Sequence, residues 1–177
     1  MSDVVIFVIG SNIGDRVAHL VAAREGLSRF GKIIAASRLY LTSAFGVRDQ
    51  PDFLNTALAL ETELDPWEML ENIKELEREL GRNDESQRHG PRVIDIDIAL
   101  WEHIIVDDEF LSIPHKGLPT RDFFLRPILD ILPKAIDPRS GRTLSSFLSR
   151  IRFIDLTVKK TIEDDRWRSI TTSQSKV

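Results

Sequence analysis

An α+β fold is predicted for this chain, with a β-α-β-β-α-β core, a mainly antiparallel sheet and helices packed on it. Three observations point to it. Apolar, β-branched runs at 4–9, 33–42, 54–62 and 93–101 read as strands. Apolar residues at helical spacing over 15–30 and 65–81 follow the first and third of these runs. The resulting order is that of the ferredoxin-like, or split βαβ, arrangement. The 177 residues suit one domain, 1–177, whose core needs no staples at this size.

The elements follow in chain order. Val4 to Ile9 is a buried strand, broken by Gly10-Ser11-Asn12-Ile13-Gly14. Asp15 caps a helix to about Phe30, in which Val17, Leu20, Val21, Ala23 and Leu27 share a face and Gly31 is the stop. Ile33–Thr42 and Leu54–Thr62 are strands, and the long connector Thr42–Phe53 between them is a candidate functional loop. Asp65-Pro66 is an N-cap followed by proline at the first helical position. Trp67, Leu70, Ile73, Leu76 and Leu80 supply that helix's stripe, and Gly81 closes it. Val93–Trp101 is the last core strand. Beyond it come a small hairpin over Ile104–Ile113 turning at Asp107-Asp108, and short helices at Pro119–Arg121, Arg126–Ile131 and Leu144–Ile151. Residues 155–177 read as an extra C-terminal tail, open between a frayed end and a packed strand.

Composition excludes several classes. The 24 Lys+Arg and 28 Asp+Glu give a net charge of −4, which argues against broad, charge-driven nucleic-acid binding. With no cysteine there is no disulfide scaffold, thiolate nucleophile or Cys-based metal site. No apolar run approaches the ~18 residues of a membrane span. The acidic start Met1-Ser2-Asp3 lacks a secretory signal, so a cytoplasmic location is expected.

The most informative segment is Arg88-His89-Gly90-Pro91-Arg92-Val93-Ile94-Asp95-Ile96-Asp97-Ile98. Strand residues two apart share a face, so Asp95 and Asp97 face away from Ile94, Ile96 and Ile98. Two carboxylates on one face repel, and a hard divalent cation relieves that repulsion. A bare D-x-D more often marks an acidic strand face. Here Arg82, Arg88 and Arg92 precede it and His115, Lys116, Arg121 and Arg126 follow, the usual company of polyphosphate. The glycine-containing 10–14 turn lacks a P-loop ending and reads as a tight structural turn.

These motifs, taken together, resemble the 6-hydroxymethyl-7,8-dihydropterin pyrophosphokinase family from about Val5 to Pro133. The carriers are Gly-Ser-Asn-Ile-Gly at 10–14, Gln-Pro-Asp-Phe-Leu-Asn at 50–55, Glu-Leu-Glu at 75–77 and Gly-Pro-Arg-Val-Ile-Asp-Ile-Asp-Ile at 90–98. Ile113-Pro114-His115 and Arg-Asp-Phe-Phe-Leu-Arg-Pro at 121–127 complete the set. The resemblance implies diphosphate transfer from ATP to the pterin hydroxymethyl group, giving AMP, with two Mg²⁺ ions held by Asp95 and Asp97. It places the pterin among Thr42, Ser43, Phe45, Phe53, Asn55 and Phe123. It assigns catalytic contacts to Asp97, Arg82 and Arg92, and nucleotide contacts to Glu77, Arg88, Arg92, Ile98, His115, Lys116 and Arg121. Association with other folate-pathway enzymes is also allowed for. Asp84, His89 and Phe110 depart from the basic, aromatic and arginine residues common at those positions in the family. A non-catalytic relative that binds pterin or nucleotide is the second reading. An RNA-binding module is disfavoured by the net charge and by the missing aromatic pattern.

Overall fold

The computed structural model describes residues 2–46, 49–83 and 90–168. Strand β1 (Asp3–Ser11) lies in the middle of the sheet and is apolar on both sides. Val5, Phe7 and Ile9 face one core layer, while Ile6 and Val8 face the other. The first layer is closed by α1 (Arg16–Leu27) and α2 (Pro66–Glu79). The second is closed by α3 (Asp122–Ile131) and α4 (Leu144–Leu148).

The remaining strands are β2 (Lys32–Ala36), β3 (Leu39–Thr42), β4 (Phe53–Thr62), β5 (Asp95–Trp101) and β8 (Val158–Ile162). A separate small ladder pairs β6 (Val106–Asp107) with β7 (Ser112–Ile113). The main sheet runs β5-β1-β4-β3-β8, with β2 also on β4, and every pairing is antiparallel. The predicted ferredoxin-like core is therefore present, extended by one C-terminal strand. Among the described residues no helix is long and apolar enough to cross a membrane.

Local chemistry sets the helix starts. The Asp15 carboxylate accepts the Ala18 N–H at 3.1 Å. Asp65 accepts from Trp67 and Glu68, and Glu68 returns a bond to the Asp65 N–H, a full capping box.

Several boundaries differ from the sequence expectation. The strand expected over Ile33–Thr42 is two strands, because Ser37 and Arg38 are drawn out of the ladder. Ser37 Oγ accepts the Ala57 N–H at 2.9 Å, and the Ser37 carbonyl accepts the Trp167 indole N–H at 2.9 Å. Helix α1 stops at Leu27, since Ser28 caps it and Gly31 must pass the Glu61 carbonyl, 2.2 Å from where a Cβ would stand. Strand β5 begins at Asp95 rather than Val93. The hairpin turn lies later than expected, where Asp108 accepts the Phe110 and Leu111 N–H groups. The helix expected at Arg126 begins four residues earlier and runs through Pro127. The helix expected near Pro119 is a 3-10 turn over Leu118–Thr120, and α4 ends at Leu148 rather than Ile151.

The C-terminal segment is a packed strand followed by a tied-down turn. Leu39 to Thr42 pair with Val158–Ile162, Trp167 is buried, and Arg166 bonds Asp15 at 2.6 Å.

Candidate active site

Register assembles the site. Gly10 on β1 stands between Asp95 on β5 and Asn55 on β4, with all three opposite one another across the sheet. Directly opposed residues share a face, so Asp95, Asp97, Phe53 and Asn55 lie on the side where α3 packs. Gly10 keeps the floor open: a Cβ there would lie 2.3 Å from Asn55 Oδ1. Over this row lies an open cleft of about 610 Å³, a volume that includes the solvent at its mouth.

One end of the cleft is aromatic and polar-neutral. Phe45, Phe53 and Phe123 line it with Thr42, Ser43 and Asn55. The Phe45 and Phe123 rings are 6.1 Å apart and tilted by 53°. Asn55 Nδ2 donates to Thr42 Oγ1 at 2.8 Å, which fixes the orientation of a nearly buried carboxamide. A flat heterocycle with donors and acceptors on its edge fits rings plus one oriented amide.

The other end is charged. Asp95 Oδ1 accepts from Arg82 at 2.9 Å and from Arg92 at 2.7 Å. Arg82 also pairs with the buried Glu77 at 2.5 Å, and Glu77 accepts the Ile96 N–H at 2.7 Å. Asp97 is less compensated. Burial pushes its carboxyl well above the usual range, with the Asp95 and Glu77 charges adding to the effect and Arg121 and Arg92 opposing it. Its side chain still keeps 33% of its surface at the cleft. Burial also raises Glu77, against the pull of Arg82. For Arg82, burial works against the charge but the Asp95 and Glu77 carboxylates outweigh it.

His115 Nε2 lies 3.8 Å from Asp97 Oδ1. Burial and then Arg121 hold its pKa down at about 4, so the ring is neutral near pH 7. Its Nδ1 accepts the Gly117 N–H at 3.0 Å, which leaves the ring proton on Nε2, toward Asp97. The ring stacks on Phe124 at 4.8 Å. Arg121 spans the two ends of the cleft, with its guanidinium 4.7 Å from the Phe45 ring centre and its charge acting on Asp97.

No group of three or more His, Asp or Glu side chains able to hold a metal occurs among the described residues. A protein cage is thus not what the pair offers. Asp97, undercompensated beside an Asp95 already paired with Arg82 and Arg92, suits a hard cation that takes its other ligands from water and phosphate.

Most of the residues expected at the site converge there, but two stand apart. The Ile98 side chain lies in the α1/α2 core layer, 5% exposed, so any part it plays in nucleotide binding falls to its backbone. Lys116 is exposed and does not line the cleft. Arg88, Asp84 and His89 lie outside the described residues. The 10–14 segment does more than turn the chain. Buried Asn12 accepts the Arg92 N–H at 2.7 Å and donates to Gln50 and to the Pro51 carbonyl, both at 3.0 Å. It ties the arginine end to the Phe53 loop, a role hidden in sequence because its partners lie 38 and 80 residues away.

Residues 6–133 match the 7,8-dihydro-6-hydroxymethylpterin-pyrophosphokinase family model. A 2-amino-4-hydroxy-6-hydroxymethyldihydropteridine pyrophosphokinase of Aquifex aeolicus is 41% identical over 139 residues, 78% of this chain and 86% of that protein. The Methylorubrum extorquens protein of the same name is also 41% identical, over 81% of this chain and 90% of its own length. A mitochondrial folate synthesis bifunctional protein of pea is 37% identical over 81% of this chain, which spans only 28% of it. The Plasmodium falciparum HPPK-DHPS structure with pteroate shares the fold, with a TM-score of 0.70, 18% identity and coverage of 85% of this chain and 42% of that one. The chain belongs to the 6-hydroxymethyl-7,8-dihydropterin pyrophosphokinase family of folate-synthesis enzymes.

Proposed function

We propose that the protein transfers the terminal diphosphate of ATP to 6-hydroxymethyl-7,8-dihydropterin, with Mg²⁺ held by Asp95 and Asp97. The observation that carries this reading is the undercompensated Asp97 carboxyl, one strand residue pair from the Asn55 and Phe53 pocket and ringed by Arg92, Arg121 and His115. The pterin lies between Phe53 and Phe123 with Asn55 reading its edge, and its hydroxymethyl group points toward Asp97. The hydroxyl oxygen attacks the β-phosphorus, the bond from that phosphorus to the α–β bridging oxygen breaks, and AMP leaves. Asp97, whose side chain reaches the cleft beside His115, is the carboxylate placed to take the hydroxyl proton. Arg82, Arg92, Arg121 and the Nε2–H of His115 meet the charge spread over the phosphate oxygens. Two Mg²⁺ ions, when bound, neutralise the triphosphate and lower the hydroxyl pKa.

We further read residues 1–177 as one pyrophosphokinase domain, supported by the single sheet shared by both core layers. Association with other folate-pathway enzymes is supported by the pea relative, which carries a matching stretch inside a longer protein. Incubation with ATP, Mg²⁺ and the pterin should give AMP and no ADP by chromatography. Tight binding of an ATP analogue with no AMP formed would overturn the reaction and favour a non-catalytic binder, the reading that the departures at Asp84, His89 and Phe110 motivate.

A further inference from the structure

The family match ends at residue 133, yet a later segment reaches back to both walls of the pterin pocket. At the end of β3, the Ser43 N–H donates to the Thr157 carbonyl at 2.9 Å. The Thr157 N–H and Oγ1 donate to Asp122, at 2.9 and 2.6 Å, and the Val158 N–H joins them at 2.8 Å. Asp122 is 1% exposed and immediately precedes Phe123. Two residues on, Lys159 Nζ grips both oxygens of Asp52, at 2.9 and 2.8 Å, immediately before Phe53. Three consecutive strap residues thus hold the backbone beside Ser43, Phe123 and Phe53. The far end is anchored outside the site, by the Trp167 indole on the Ser37 carbonyl.

We propose that the C-terminal strand is a strap that sets the spacing of the pterin pocket's walls, with Asp122 and Lys159 as positioning residues for the pterin and not for ATP. This rests on the pterin assignment above. The chemistry is asymmetric. The Asp122 carboxylate is a buried acceptor meeting three donors, so an amide there turns an N–H toward an N–H. The Lys159–Asp52 pair is partly exposed, with side-chain exposures of 51% and 30%, and contributes less.

The test compares KM for pterin, KM for ATP and kcat across variants. Lys159→Met should raise the pterin KM by about three- to fivefold, the range of an exposed ion pair, with ATP KM and kcat unchanged. Lys159→Asp, which opposes two carboxylates, should raise it further, and adding Asp52→Lys should bring it back to within about twofold of the unaltered protein. Asp122→Asn should raise it by about tenfold or more. Pterin KM unchanged in the Lys159 variants, or pterin and ATP KM rising together without rescue by the swapped pair, would overturn the strap. If the unaltered protein binds pterin without forming AMP, the proposed reaction fails by itself. The same variant comparison, made on pterin affinity by calorimetry, then decides the strap.

Discussion

Replacing Gly10 by alanine tests the pterin wall through a single added methyl. The backbone there is ordinary strand, so alanine meets no conformational penalty, and the whole effect is the contact its Cβ makes. That Cβ would stand 2.3 Å from Asn55 Oδ1, 3.3 Å from its Cγ and 3.5 Å from Phe53 Cδ1, where ordinary contact begins near 3.4 Å. The carboxamide must retreat by about 1 Å, yet Gly10 and Asn55 are locked opposite each other in the central pair of strands. Rotation is the remaining escape, and it breaks the 2.8 Å bond to Thr42. Overpacking of this kind costs about 1–3 kcal/mol of stability. Two mispointed neutral hydrogen bonds to the pterin are worth about 1–3 kcal/mol, or roughly 5- to 150-fold in affinity. Calorimetry with pterin and separately with an ATP analogue reads this directly. Pterin affinity should fall within that range while analogue affinity holds. Unchanged pterin affinity would refute the placement of Asn55 on the pterin.

The other predictions concern charge. Asp97→Asn should cut turnover by about 100-fold or more while leaving metal-free stability equal or higher, because it removes an undercompensated carboxylate; a fall in melting temperature would contradict this. Asp95→Asn should also stop turnover but lower stability by about 1–3 kcal/mol, since Arg82 and Arg92 lose a charged acceptor. Chelation of Mg²⁺ should abolish AMP formation without changing the circular dichroism spectrum, as no group of three or more metal-ligating side chains occurs among the described residues. Asp130 is held below its ordinary 3.8, where Arg38 hydrogen bonds and charge outweigh the burial that opposes them. A depressed carboxyl stabilises above its unfolded pKa and loses that contribution as pH falls through the folded one. The stability gap between the unaltered protein and Asp130→Asn in denaturant titrations should therefore be constant from pH 7 to about 5 and close below about pH 4. A gap that widens toward acid would contradict the pairing.

How much of this was legible in the sequence depended on range. The β-α-β-β-α-β order and the Asp95/Asp97 face followed from local periodicity, which the strand pleat enforces. The break at Ser37 did not, because it is made by Ala57 and by an indole 130 residues away. The start of α3 was placed four residues late, since Asp122 spends its side chain on Thr157 and Val158 rather than on a visible cap. For the same reason the C-terminal residues read as an open tail. Their ties run to Asp15, Ser37, Asp52 and Asp122, none of them near in sequence. The Arg82–Glu77–Asp95 linkage was also out of reach, because residues on α2 and β5 meet only through the fold. Motif resemblance supplied the pterin residues, and register explains why they share a face with the carboxylates.

The central claim is that the β- and γ-phosphoryl groups move together onto the pterin. ATP labelled at the β-phosphate in one reaction and at the γ-phosphate in another measures this directly, with the pterin product isolated from each. Both labels should appear in the pterin product in equal yield, with unlabelled AMP released. Label from the γ-phosphate alone, accompanied by ADP, would contradict the account.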